Sequence, residues 1–173
     1  MGGGGGSLYT GGGGGSDFSA LESIARQALE VTVERPARRR VFLSFRGEDV
    51  DLVNVFRAQA KNEASGLDFI DFSLTVPFDS EDAAYIRRGI RARIEACSVT
   101  VVLLTGSTHE SEWVNWEVGE SRRLGKGVVA VKLRDEPSLR LPKSIADNGI
   151  PVLPWNNKLI MDAIDEAART KEG

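Results

Sequence analysis

From Arg40 onward, short apolar runs alternate with segments in which apolar residues recur every three or four positions. The first pattern is that of buried strands and the second that of one-sided helices. Val41-Phe-Leu-Ser-Phe45 reads as a first strand, and Arg46-Gly-Glu-Asp49 turns from it into a helix with Leu52, Val53, Phe56 and Ala60 on its inner stripe. Asp68-Phe-Ile-Asp-Phe72 reads as a second strand, nearer an edge because it is partly polar. Pro77 marks a long loop, and Ser80 is the expected N-cap of a helix from 81 to 97, with Glu81 and Asp82 suiting its positive end. Ile86, Ile90, Ile94 and Cys97 line the apolar face of that helix, while Arg87, Arg88, Arg91 and Arg93 fall mostly elsewhere.

The run Val99-Thr-Val-Val-Leu-Leu104 has the length and β-branched content of a fully buried third strand. Thr105 to Thr108 turn the chain, and a helix pattern begins near Glu112, with Trp113 and Glu117 four apart on one face. Gly127-Val-Val-Ala-Val131 reads as a fourth strand and Ile150-Pro-Val-Leu-Pro154 as a short fifth. Asn157 starts a last helix with Ile160, Ala163, Ile164 and Ala167 on one side. Strands alternating with helices imply right-handed crossovers and a parallel sheet covered on both faces. The expected architecture is therefore α/β and flavodoxin-like: three layers, with a five-stranded parallel sheet of order 2-1-3-4-5. Its switch point lies between the first and third strands, so Ser44, Phe45 and Arg46 share a crevice with the loop after residue 104.

Residues 1 to 16 read differently. Ten of the 19 glycines fall there, in two GGGGG blocks, a composition expected to form a flexible tail. Residues 17 to 39 hold a short amphipathic helix (Leu21, Ile24, Ala25, Ala28, Leu29) and a basic linker from Arg35 to Arg39, leaving 40 to 170 as the main domain. A net charge of -3 predicts no general attraction to nucleic acid or to anionic membranes. No apolar stretch approaches the ~20 residues of a membrane span. A single cysteine, Cys97, fits a reducing, cytoplasmic setting.

Several chemistries can be weighed against the rim. Arg46-Gly-Glu-Asp49 is too acidic to cradle a flavin phosphate, and the tip of the third strand carries Thr105-Gly106 where a receiver domain needs a phosphate-accepting Asp. Neither nucleotide-binding glycine fingerprint occurs. With one histidine, His109, no His-rich metal site or Ser-His-Asp triad is expected. Cys97 reads as core rather than nucleophile. What remains is a carboxylate beside aromatics. Glu117 could stabilise an oxocarbenium-like centre, with Phe45, Trp113 and Trp116 stacking on a base or holding a ribose. On spacing alone, Trp113 and Trp116 as core fillers and Glu117 as an ordinary polar helix residue fit at least as well.

Val41 to Asp49 resembles the opening strand and loop of TIR domains, and Trp113-Val-Asn-Trp-Glu117 resembles their W-x-x-x-E motif. More closely, residues 40 to 156 resemble the bacterial TIR-like proteins of the Thoeris antiphage-defence type. The likeness rests on Phe69 to Ser73, Pro77 to Ser80, Ser98 to Val102, Trp113 to Glu117, Leu124 to Gly127 and Val152 to Trp155.

That resemblance implies cleavage of NAD+ at the nicotinamide–ribose bond, with NAD+ as substrate and no cofactor, giving ADP-ribose or a cyclised signal for a downstream effector. It makes Glu117 the catalytic residue and puts Phe45 at the aromatic position after the first strand. The loop from Ser73 to Ser80 becomes the BB loop, which governs access and self-association. Ser44, Arg46, Asp79, Ser80 and Trp113 join Phe45 and Ser73 as expected substrate contacts. Two other readings stay open: a non-catalytic TIR assembly module, and a sensor that holds a nucleotide without cleaving it.

Overall fold

The computed structural model describes residues 39–62, 67–71 and 78–170. The expected Gly-rich tail, the amphipathic helix around 21 to 29, most of the basic linker and most of the loop from 73 to 80 lie outside these residues.

Five strands follow in chain order: β1 (Arg39–Ser44), β2 (Leu67–Asp71), β3 (Val99–Leu104), β4 (Gly127–Lys132) and β5 (Val152–Leu153). They form one parallel sheet of order β2-β1-β3-β4-β5, as the alternating pattern predicts. Five helices connect or follow them: α1 (Val50–Asn62), α2 (Ala83–Glu95), α3 (Glu112–Arg123), α4 (Lys143–Asp147) and α5 (Asn157–Arg169). β3 and the starts of α3 and α5 fall where the periodicity places them. The other boundaries shift by one or two residues (β1 is Arg39–Ser44 where 41–45 is expected, and α2 is Ala83–Glu95 where 81–97 is expected), and two elements differ more. The fifth strand shrinks to two residues between Pro151 and Pro154, since a proline has no N–H to give the ladder. The single-turn α4 carries too few residues to show a helical period.

Alternation along the strands sorts the core by face. Val41, Leu43, Val99, Val101, Leu103, Val129 and Val131 pack against Val53 and Phe56 of α1 and Ile160 and Ile164 of α5. On the other face Phe42 meets Ile90 and Ile94 of α2, while Val102, Leu104 and Ala130 meet Val114 and Val118 of α3 and Ile145 of α4. Cys97 sits in that second layer, just past α2, and burial pushes its thiol up to about 11, the state of a core residue rather than a nucleophile.

Two local ties set the layer spacing. Lys126, nine-tenths buried, donates from Nζ to the carbonyls of Glu95 and Cys97 at 2.7 Å each, satisfying acceptors at the end of α2. Gly127, the first residue of β4, lies so near α5 that a Cβ there would stand 2.4 Å from the Ala167 carbonyl oxygen. That obstacle is backbone, so it cannot swing aside. Gly127→Ala is expected to lower stability by about 1–3 kcal/mol, read as a reduced denaturant midpoint with an unchanged slope.

Candidate active site

The site is built where β1, β3 and α3 converge. β3 ends in Leu104, and Thr105 turns the chain, with its N–H donating to Thr108 Oγ1 at 2.8 Å. Ser111 then caps α3, its Oγ accepting the Val114 N–H at 3.2 Å. Glu112 in the first turn and Arg122 and Arg123 in the last complement the helix dipole. α3 therefore descends from the carboxyl rim of the sheet with Val114, Glu117, Val118 and Ser121 buried.

Glu117 is 3 % exposed, and Ser44, fully buried at the end of β1, donates from Oγ to Glu117 Oε2 at 2.5 Å. Burial pushes the Glu117 carboxyl up to about 8, and the Ser44 hydroxyl pulls it part of the way back. The helical turn that carries it is fixed from behind. Ser121 Oγ donates to the Glu117 carbonyl at 2.7 Å. Thr100 Oγ1 of β3 lies 2.7 Å from Ser121 Oγ, whose proton is already used, so Thr100 is the donor. Thr100 and Ser121 are fully buried and were not singled out from the sequence. The available signals were a threonine inside the apolar run 99 to 104 and a serine four residues after Glu117.

The other expected site residues are only partly gathered. Trp113, 9 % exposed, packs with Phe42, Ile90, Ile94 and Cys97, and its ring meets Phe78 at 4.8 Å and Trp116 at 6.1 Å, edge to face. It stands one turn before Glu117 and is itself core. Phe45 is not brought to them: its side chain lies in the core layer of α1 and α5, with the Arg57 guanidinium 5.9 Å from its ring. The reason is strand alternation, which turns Ser44 and Phe45 to opposite faces. Arg46 binds Glu48 at 2.9 Å, Glu110 at 3.3 Å and the Ser107 carbonyl at 3.3 Å, bridging the loops after β1 and β3. Thr105 Oγ1 donates to Asp49 at 2.8 Å across the same gap. Asp79 is exposed, and Ser73 lies outside the described residues. Ser80 does not cap α2. Its backbone carbonyl, not its hydroxyl, accepts the Ala83 N–H, Asp82 holds the N-cap position, and Ser80 Oγ is buried without a partner among the described residues.

A second charged cluster lies further down α3. Glu120, buried, receives Arg91 of α2 and Arg123, the latter at 2.5 Å. The Arg123 hydrogen bond, followed by that of Arg91, holds the Glu120 carboxyl down at about 2. Two glutamates one turn apart are thus shifted in opposite directions, Glu120 toward its ionised form and Glu117 toward its protonated form.

The family model described as "Thoeris protein ThsB, TIR-like domain" matches residues 42–138, more than half of the chain. The chain belongs to this family. No curated protein matches it. Among solved structures, the TIR domains of the activated Roq1 resistosome, described as directly recognizing the pathogen effector XopQ, are similar at 18 % identity. That match covers 76 % of this chain and 84 % of the other, with a TM-score of 0.42. The assignment rests on the family match. In this TIR-like domain, no helix among the described residues is long and apolar enough to cross a membrane.

The two glutamates set a pH window for stability. Glu117 binds a proton more tightly folded than unfolded, so stability falls as pH rises from its ordinary range near 4.5 to about 8. Glu120 has the opposite sign: its contribution is present above the ordinary carboxylate range and is lost as pH drops toward 2. Stability measured by denaturant titration should therefore peak in mild acid. Glu117→Gln, which keeps an acceptor for Ser44, should flatten the alkaline limb and raise stability at pH 8 by roughly 2 kcal/mol or more. Ser44→Ala should move the Glu117 titration, followed by carboxyl carbon NMR, further upward.

Proposed function

We propose that this TIR-like domain cleaves NAD+ at the nicotinamide–ribose bond, with Glu117 as the catalytic residue and a role in bacterial antiphage defence. The observation that carries the reading is the buried Glu117 carboxyl, held by Ser44 at the carboxyl end of β1 on the W-x-x-x-E helix. Membership of the Thoeris TIR-like family supports it.

The chemistry follows from charge. The bond from ribose C1′ to the nicotinamide nitrogen breaks, and its electron pair leaves with the ring, which becomes neutral. Positive charge is left on the ribose. Glu117 as carboxylate stabilises that charge in a water-poor site, where the interaction is strongest. Water then attacks C1′ and releases a proton to give ADP-ribose, or an internal nucleophile closes a ring. The cationic pyridinium entering the site favours the ionised form of Glu117, so substrate binding releases a proton from a carboxyl that is neutral at rest. This reading assigns ribose and phosphate contacts to Arg46, now held by Glu48 and Glu110, and to Asp79 and Ser80 on the loop before α2. Because Glu117 is sealed, substrate reaches it only when the covering structure moves. Self-association through TIR surfaces, and an effector that responds to the product, belong to the same reading.

That seal also favours a second reading, a non-catalytic assembly module in which Glu117 is a structural core carboxyl and Trp113 a core aromatic. One experiment separates them: mass spectrometry of products after concentrated protein meets NAD+. The enzymatic reading expects nicotinamide plus linear or cyclic ADP-ribose, with Glu117→Gln and Glu117→Ala slower by at least about 10²-fold. It also expects kcat/KM to rise with pH toward the titration near 8. Equal turnover by wild type and both variants would remove Glu117 from the role. Concentration-dependent oligomers without NAD+ loss would establish the module.

A further inference from the structure

A second recess opens beyond the carboxyl ends of β4 and β5, with β3 standing between it and Ser44 of β1. It measures about 310 Å³ and is lined by Lys132, Leu133, Arg134, Asp135, Pro154 and Trp155. Leu133 and Trp155 pack with the core layer of α1 and α5, so this recess faces away from the layer that holds Glu117. The carboxyl ends of parallel strands are where α/β sheets receive ligands.

Its chemistry is distinctive in three respects. Trp155 lines the recess with its ring, while its Nε1 is buried without a hydrogen-bond partner among the described residues. Arg134 is exposed, and no ion pair holds it among the described residues. Among the described residues Lys132 pairs with Asp135 alone, at 3.4 Å, and that carboxylate is almost fully exposed, so the pair is weak and exchangeable. One guanidinium fork and one ammonium, beside an indole ring, therefore line a space at the small end of ligand-pocket sizes. The lining carries two cations against one carboxylate. A planar guanidinium and a compact ammonium together suit the several oxygens of a phosphoryl group better than the two of a carboxylate.

We propose that this recess is a binding site for the phosphoryl group of a small phosphorylated ligand, separate from the Glu117 site. The ligand chemistry is a phosphate ester or diphosphate of about ribose-phosphate size, whether free diphosphate or part of a nucleotide. The inference does not depend on NAD+ cleavage.

The test follows the indole N–H resonances of Trp113, Trp116 and Trp155 in the intact protein, at constant ionic strength, during titration with inorganic pyrophosphate and, separately, with ADP-ribose. The expected result is a saturable shift of the Trp155 resonance with at least one of them. Saturation by pyrophosphate identifies the bare diphosphate as sufficient, and saturation by ADP-ribose alone assigns the site to a nucleotide. Arg134→Gln, an exposed change that leaves the core intact, should weaken binding about tenfold. Trp155→Phe, followed by calorimetry, should also weaken it, and Glu117→Gln should bind as wild type. A drift without saturation, a shift of Trp113 or Trp116 with Trp155 unmoved, or unchanged affinity in Arg134→Gln would overturn the proposal. So would loss of binding in Glu117→Gln, which would place the ligand at the other site.

Discussion

The hydrogen bond from Ser44 to Glu117 joins the end of the inner strand β1 to the middle of α3, and much of the surrounding structure follows from the need to bury it. A carboxyl removed from water costs free energy unless it is neutral or well matched. Here one hydroxyl serves the side chain while Thr100 and Ser121 anchor the backbone of the same turn. The result is a polar seam through the sheet–helix interface, flanked by Val102, Val114 and Val118 on one side and by Phe42 and Trp113 on the other. Each hydroxyl in the seam has a partner, which makes such a network sustainable within a core.

The two faces of the sheet divide the work. The face under α1 and α5 is an unbroken apolar layer, and the Gly127–Ala167 approach shows how closely α5 lies on it. The face under α2, α3 and α4 carries the seam, the aromatic group and the arginine-bound Glu120. One side supplies burial, while the other trades some of it for a titratable group near the rim. A charge placed at Glu120 and a proton placed at Glu117, one turn apart, show how local donors decide ionisation within a single helix.

The architecture was legible because period and length agree. A six-residue β-branched run followed by a capped three-turn helix leaves few alternatives, and right-handed crossovers fix the rest. The site was legible only in part. Spacing along α3 put Trp113 and Glu117 on one face, yet could not show that Trp113 is packed under Phe78 and α2. Phe45 looked like a neighbour of the site because it follows Ser44. A strand reverses direction at every residue, so adjacency in sequence meant opposite faces in space. Ser80 misled through a sound rule: the turn satisfied the α2 N-terminus with a backbone carbonyl, leaving the hydroxyl unused. Thr100 and Ser121 escaped because a hydroxyl inside an apolar run has no periodic signature, and only the pairing across β3 and α3 gives it meaning.

The placing of charge along α2 and α3 has a mechanical side. Far from the rim, Arg91 and Glu120 couple the two helices directly, and Lys126 pins the end of α2 to the segment entering β4. At the rim the contacts are aromatic: Phe78, in the loop before α2, meets Trp113 of α3, Trp113 meets Trp116 of the same helix, and Arg87 of α2 places its guanidinium 4.1 Å from the Phe78 ring. Ring contacts tolerate sliding, whereas a shared carboxylate and a doubly bonded ammonium do not. The helix pair is therefore built like a clothes-peg, sprung at its charged end and held by softer ring contacts at the end nearest the rim.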